Sequence, residues 1–578
     1  MKASTKRRGK KLFKKWNKKS HEVSIKSTEH IKENLVEKLP NARNVRLLIL
    51  EWSLLALALI FLACAQAFWY QNSSSVATFG NGGTYAEGTL GKVNSLNPLF
   101  ANNNSEEAIS KLLFATLTTT DYTGHTGSGL AQSITRNENA KVWTMKLRDN
   151  LKWSDGQPIT NEDVLFTVGL IQNSAVNTPY KSNLSGVKVS EDNGMIVFNL
   201  PSAYLDFDSA LEIPILPKHS LQGIEPAKLS EAAFNNDPIT SGPFTYNASQ
   251  SNTTTGNSKV VFMSANDLYY QGRPMLDTFA IHAYENLDDI KLALKEGGIS
   301  ATAELSSHDS EEIVSGTIQE KQTTLNSGVY AFLNTTSLQL NNKTVRQALR
   351  QGIDMSDLRE LLHGETALDY PLLKSQVDLQ NWPELPAYNR EEAKKTLQAS
   401  GLNTEIPLQI ATVKTGYLPE LAKRMATQLE QLGFKTDVTV YEPDQNFISM
   451  VLRQRNYDIL IYEIELGSEP DLFAYYHSSQ ATSSGLNLSN YKNTIVDNAL
   501  LAMRSSTDEQ IRATRYEALI KNWLSDVPAI GIYQPNLSYY LNKNVRSFSE
   551  DSRLVDVLDR FNDVRFWAAN QTTKHRTP

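Results

Sequence analysis

Leu151-Lys-Trp-Ser-Asp-Gly-Gln-Pro-Ile-Thr-Asn-Glu-Asp-Val-Leu-Phe166 holds a strand end, a turn and a helix start in one stretch. Leu151-Lys-Trp153 reads as extended chain, and Asp155-Gly156 is a hairpin signal because both residues tolerate the backbone angles of a tight turn. Thr160-Asn-Glu-Asp163 is a capping box, in which Thr160 caps the helix and Asp163 reaches back to it. Val164-Leu-Phe166 then opens an apolar helical face. Just upstream, Val142–Leu147 alternates apolar and polar residues and suits a strand.

The same mixture continues outward. Leu418–Leu432 has apolar residues at 418, 421, 422, 425, 426, 429 and 432, one face of a helix, and Gly433 is a good residue to end it. Phe434–Tyr441 and Tyr457–Tyr462 read as strands on either side of a helix. The second half is therefore βαβ-like, and the fold class expected is α/β with a mixed α+β character. A chain of 578 residues exceeds a single core, so two or three domains are expected. The one cysteine, Cys64, excludes an internal disulfide and a thiolate zinc site.

The N-terminal region differs from the rest. Residues 1–46 carry fifteen Lys/Arg against four Glu, a net of +11, which leaves −17 on the remainder. Leu47–Tyr70 is almost wholly apolar, interrupted by Glu51, Ser53 and Gln66. As a helix, Trp52–Tyr70 spans about 28 Å at ~1.5 Å per residue, close to the ~30 Å of a hydrocarbon core. Aromatic residues stand at both ends, and the basic residues all precede the span. The expectation is one transmembrane helix at 47–70, a cytoplasmic basic arm at 1–46 and a body outside the cell membrane. A lipidated Cys64 after Phe61-Leu-Ala63 is the alternative anchor. The basic arm is expected to serve topology or anionic lipid, with no nucleic-acid partner. Residues 71–83 read as a linker rich in Ser, Asn and Gly, and 568–578 as a polar tail.

Several stretches in order resemble the family 5 extracytoplasmic solute-binding proteins, the oligopeptide-, dipeptide- and nickel-binding type of ABC importers. They are Asn94-Ser-Leu-Asn-Pro98, Ser110–Leu117, the opening Leu151–Phe166 stretch, Ile215-Leu-Pro-Lys-His219, Thr240–Tyr246, Gly272–Asp277, Val345–Leu349 with Gly352-Ile-Asp354, and Asn456–Leu460. The resemblance covers about residues 84–567. It implies a two-lobed periplasmic-binding-protein type II fold with an extra subdomain: lobe I at 84–325 with an insertion at about 116–236, lobe II at 326–530, and a return to lobe I at 531–567. It also implies closure around a ligand, a peptide or other small solute passed to an ABC permease, by a monomer that is not an enzyme and needs no cofactor or metal.

In that family the ligand lies against two segments that match Asn102–Ser105, with Asn103 and Asn104, and the strand and turn Ile461–Asp471. The ligand-binding residues expected from it are Asn103, Asn104, Tyr462, Glu463, Ile464, Glu465, Leu466, Glu469 and Asp471. The sequence departs from the pattern at one position: Leu466 stands where peptide binders carry the aspartate that pairs with the ligand's α-ammonium. Glu465 or Glu469 is the candidate replacement. Other readings remain open: a surface receptor of the same fold uncoupled from import, or a binder of an oligosaccharide or metal complex. Among enzyme signatures, no Gly-x-Ser-x-Gly, His-Glu-x-x-His, phosphate loop or dinucleotide fingerprint occurs. His282 and Glu285 are close in sequence, too small a set to define a metal site.

Overall fold

The computed structural model describes residues 46–575, except 74, 122–123, 252–256, 363–364, 444–445 and 550–551. The basic arm, residues 1–45, and the last three residues lie outside it. The described chain divides into two units, one ending at Thr78 and taken up again from Thr572, the other Phe79–Gln571.

In the first unit, Arg46–Ser73 is a 28-residue α-helix, rich in the good helix formers Leu and Ala. Its side chains are described from Leu50 to Gln66, and all of these are exposed. Among the described residues no helix is long and apolar enough to cross a membrane. Where the sequence suggested a linker and a tail, Ser75–Gly80 and Asn570–His575 instead form a two-stranded sheet.

The second unit is built on two large sheets with separate apolar cores. In strand order, the seven-stranded sheet runs Ile318–Thr324, Asn536–Asn542, Ala301–Thr302, Thr84–Leu90, Thr278–Tyr284, Asn257–Ala265 and Phe244–Gln250. The six-stranded sheet runs Thr366–Ala367, Ala529–Gln534, Ser327–Leu333, Ile459–Glu465, Leu408–Val413 and Thr436–Tyr441. We call the parts built on them the first and second lobes. A four-stranded sheet, in the order 131–136, 142–147, 195–199, 188–192, forms a separate platform packed into the first lobe's core.

The decisive stretch folds locally as read. Gly156 adopts φ +87°, the left-handed turn conformation that favours glycine, and Trp153 N donates to Gln157 O. The Asp163 carboxylate accepts from Thr160 N at 2.9 Å and from Lys218 N at 2.8 Å, so this helix start also anchors the next segment. Leu418–Gln431 is a helix with Leu421, Ala422, Met425 and Leu429 in the core, and Gly433 follows at φ +102°. The strands on either side differ from the reading in one respect. Thr436–Tyr441 and Ile459–Glu465 do not pair with each other. Leu408–Val413 lies between them, parallel to both, because the 418–431 helix is the crossover from 408–413 to 436–441.

The first lobe is completed by the end of the chain. Trp567 is fully buried against Tyr85, Phe561 and Tyr539. Arg560 donates to Glu87 from Nε at 3.0 Å and Nη2 at 2.7 Å, and Tyr539 Oη donates to the other oxygen of Glu87 at 2.7 Å. Glu87 has no exposure and Arg560 2 %. A buried charge is tolerated only when paired and hydrogen-bonded, so this pair fixes residues 557–566 to the sheet.

The chain passes from the first lobe to the second at Leu325-Asn326 and back at Pro535. The strands it joins are antiparallel neighbours in each sheet: 318–324 with 536–542, and 327–333 with 529–534. Strand 529–534 thus belongs to the second lobe, and the return lies at Pro535. Leu325 N donates to Pro535 O at 3.1 Å, and Gln534 donates to Leu325 O at 2.8 Å. The two short crossings thus run side by side.

Candidate functional site

Period-two alternation decides what the strand Ile459–Glu465 offers each side. Ile461 is fully buried, and Ile464 and Leu466 are buried in the second lobe's core. Leu466 is held further by its backbone: its N donates to Asn326 O at 2.8 Å, and Gln376 reaches its carbonyl at 3.2 Å. It is a packing residue, as is Ile464, and neither side chain is offered to a ligand.

Glu463 and Glu465 share the face opposite to Ile464 and Leu466, with Ile461 buried further back along it. Glu463 accepts from Ser327 Oγ at 2.7 Å. Burial raises its pKa, and the Ser327 hydrogen bond partly offsets this. Glu465 is still in contact with solvent, yet protein surrounds it closely. Burial is the first cause of its raised pKa, followed by the charges of Glu107, Glu463 and Asp559. Glu107 and Asp559 belong to the first lobe, so Glu465 looks across a cleft at carboxylates of the opposite lobe. Tyr475 Oη donates to the Glu465 carbonyl at 2.7 Å, while Tyr462, on the face of Ile464 and Leu466, packs in a tilted contact on Phe447 at 5.4 Å.

The first-lobe side of the cleft starts at the helix Asn104–Leu113. Asn103 caps it by accepting from Glu106 N at 3.2 Å, and its amide donates to Lys92 O at 3.0 Å. Gly91, at φ +124°, lies so close that a Cβ there would meet Asn103 Oδ1 at 2.5 Å. Asn104 donates to Glu304 at 2.7 Å. Two turns further, Lys111 pairs with Glu212 and lies 3.7 Å from Asp559. Burial alone would lower the Lys111 pKa, but Glu212, Asp559 and Asp556 outweigh it and raise it. Burial raises Asp556 and Asp559, which also cap the segment Val557–Phe566. One lysine thus stands among Glu107, Glu212, Asp556, Asp559 and, across the cleft, Glu465. The excess is negative and suits a cationic group.

The remaining expected residues are already paired. Asp471 holds Arg504 with two Nε contacts at 3.0 Å and an Nη2 contact at 2.5 Å. Glu469 meets Arg512 at 3.2 Å. Sequence reasoning offered both as ligand contacts and missed their arginines, along with Glu107, Lys111, Glu212, Asp556 and Asp559. A pattern search along the chain has no signal for such partners, which come from separate segments. Among the described residues no group of three or more His, Cys, Asp or Glu is placed to hold a metal ion. Glu285 pairs with Lys92 at 3.2 Å, and burial pushes the His282 pKa down to about 4.

Comparison with known proteins agrees with this architecture. The chain is 25% identical over 545 residues to the oligopeptide-binding protein AppA of Bacillus subtilis, covering 89% of this chain and 98% of that one. The solved structure of that protein in complex with a nonapeptide superposes with a TM-score of 0.71 at 23% identity, over 85% of this chain and 99% of the other. NikZ of Campylobacter jejuni in complex with Ni(L-His) superposes with a TM-score of 0.71 at 21% identity, over 84% and 99%. The family model for the bacterial extracellular solute-binding proteins, family 5, matches residues 126–485. With that match spanning more than half of its length, the chain belongs to the family 5 extracellular solute-binding proteins.

Proposed function

We propose that this protein is a membrane-tethered binder that captures peptides outside the cytoplasm and delivers them to an ABC permease. It acts as a monomer and catalyses nothing. The observation that carries the reading is Glu465: an acid on the cleft face of the second lobe, without a side-chain partner among the described residues, opposed by first-lobe carboxylates.

Its position suits the ligand's α-ammonium, the role taken in peptide-binding relatives by the aspartate that Leu466 replaces. The edge next to it supplies main-chain groups for an extended ligand, and Asn103 and Asn104 begin the facing wall. Closure about Leu325-Asn326 and Pro535 removes the ammonium from water, where its attraction to Glu465 is stronger. Glu463 and Tyr475 shape the side-chain space. The proposed tether is the apolar run 47–70, read from its sequence, whose leucines from Leu50 to Leu62 are exposed, with the basic arm on the cytoplasmic side. That arm is also what favours the second reading, a receptor uncoupled from import. A permease and ATPase that co-purify with the full chain decide for transport.

The test uses trilysine and its N-acetylated form, measured by calorimetry. Glu465→Ala is expected to weaken trilysine at least about tenfold, a loss of ~1.4 kcal/mol, and the acetylated peptide much less. Equal loss for both removes Glu465 from this role. No binding of either peptide to the unaltered protein counts against a cationic peptide as the ligand.

A further inference from the structure

The lobes also meet outside the two crossings themselves, at Tyr204 and Leu205 on one side and Arg504 on the other. Tyr204 and Leu205 belong to the first lobe, just after the platform strand 195–199. Leu205 N donates to Arg504 O at 3.0 Å, a main-chain bond between lobes. The Arg504 guanidinium lies 4.5 Å from the Tyr204 ring and 4.0 Å from the Phe473 ring. It is therefore clamped between an aromatic residue of each lobe. Asp471, on the second lobe, fixes its orientation through both carboxylate oxygens.

Next to this contact, burial raises the pKa of Asp206 of the first lobe, and Glu469 of the second raises it further; Arg512 opposes the shift. The arginine, its carboxylate and both rings are only partly exposed, so the cation–π contacts are made where solvent weakens them less.

We infer that Arg504 is a positioning residue that latches the two lobes over the bound ligand, with Asp471 aiming it and Tyr204 receiving it. The inference rests on the reading that the lobes close to capture a solute. It also gives Asp471 a different task from ligand contact. The family turn ends in a carboxylate that serves the protein, while Glu465 at its start serves the ligand. Losing the latch raises the rate at which ligand leaves and barely affects how fast it enters, because entry uses the open form. The latch thus sets how long a captured solute is held.

Hydrogen exchange on the full chain in detergent reads the latch without any ligand. The reporter is the Leu205 amide, with the segment 471–476 read from the other side. Arg504→Ala is expected to speed Leu205 exchange about tenfold, and Tyr204→Ala to speed exchange in 471–476, each acting on the opposite lobe. Arg504→Lys, which keeps the charge but loses the two-pronged grip of Asp471, is expected to fall between. Arg424→Ala is the control: its Asp357 partner, at 2.7 Å, lies on the same lobe, and Leu205 exchange should not change. The double variant Tyr204→Ala with Arg504→Ala is expected to be no worse than the stronger single one.

A Leu205 amide that exchanges equally fast in the unaltered protein and in Arg504→Ala overturns the inference. So does a Tyr204→Ala effect confined to its own lobe. Because the readout needs no ligand, failure of the latch is distinct from failure of peptide binding. Where trilysine binds, its dissociation from Arg504→Ala should be about tenfold faster and its association within about twofold of normal.

Discussion

The protein contains two arginine–carboxylate contacts built for opposite purposes. Arg560 and Glu87 are fully enclosed within the first lobe, with Tyr539 completing the set. Arg504 and Asp471 are about one-fifth exposed and sit where two lobes touch. The first pair has no way to come apart without leaving a charge in an apolar core. The second keeps Asp471 as its partner when the lobes separate and gives up only Tyr204 and one main-chain bond. The same chemistry therefore fixes a fold in one place and permits a reversible contact in the other, and burial makes the difference.

Breaking the first pair is expected to give the largest effect. Glu87→Ala leaves Arg560 buried without a counter-charge and should cost about 3–5 kcal/mol of first-lobe stability, read by denaturant unfolding. A cost below about 1 kcal/mol would mean that water reaches Arg560. Asp471→Asn keeps the shape but removes the charge that aims Arg504. It should lower global stability by no more than about 1 kcal/mol while speeding Leu205 exchange. A loss comparable to that of Glu87→Ala would erase the distinction between the two contacts.

The smallest effect sharpens the comparison through pH. Asp206 is pushed up to about 6 from an ordinary 3.8, first by burial, then by Glu469, with Asp471 and Asp208 adding to it and Arg512 opposing it. The closed form therefore holds this proton more tightly than a form in which Asp206 faces water. Its contribution to closure is full below about pH 4 and is lost as pH rises toward 6. After correction for intrinsic exchange chemistry, Leu205 should be better protected at pH 5 than at pH 7. Asp206→Asn should remove that difference, and a pH dependence that survives the substitution would assign it to other groups.

Local order was legible in the sequence. The turn at Asp155-Gly156 and the helix beginning beside Thr160 are set by residues within a few positions, and so is the Leu418–Gln431 helix. The face of Glu465 followed from strand alternation. What the sequence concealed is how charges are shared between distant segments. Asp471 and Glu469 read as available carboxylates because their arginines lie 33 and 43 residues downstream on other helices. Glu107, Glu212 and Asp559 carry no signal in the sequence, because nothing local shows that folding gathers them around Lys111 and opposite Glu465. The pairing of Ser75–Gly80 with Asn570–His575 was hidden for the same reason: polar composition suggests loose chain until a partner strand is known.

The contact between Glu87 and Arg560 joins residues 473 positions apart. During synthesis, the first strand of the first lobe is made long before strand Asn536–Asn542 of the same sheet or the arginine that neutralises it. The second lobe is an unbroken run between the two crossings, so it can fold as soon as that run has emerged. The half of the protein that is made first is therefore finished last, and for most of translation Glu87 is an unpaired charge that keeps the early strand from settling into a closed core.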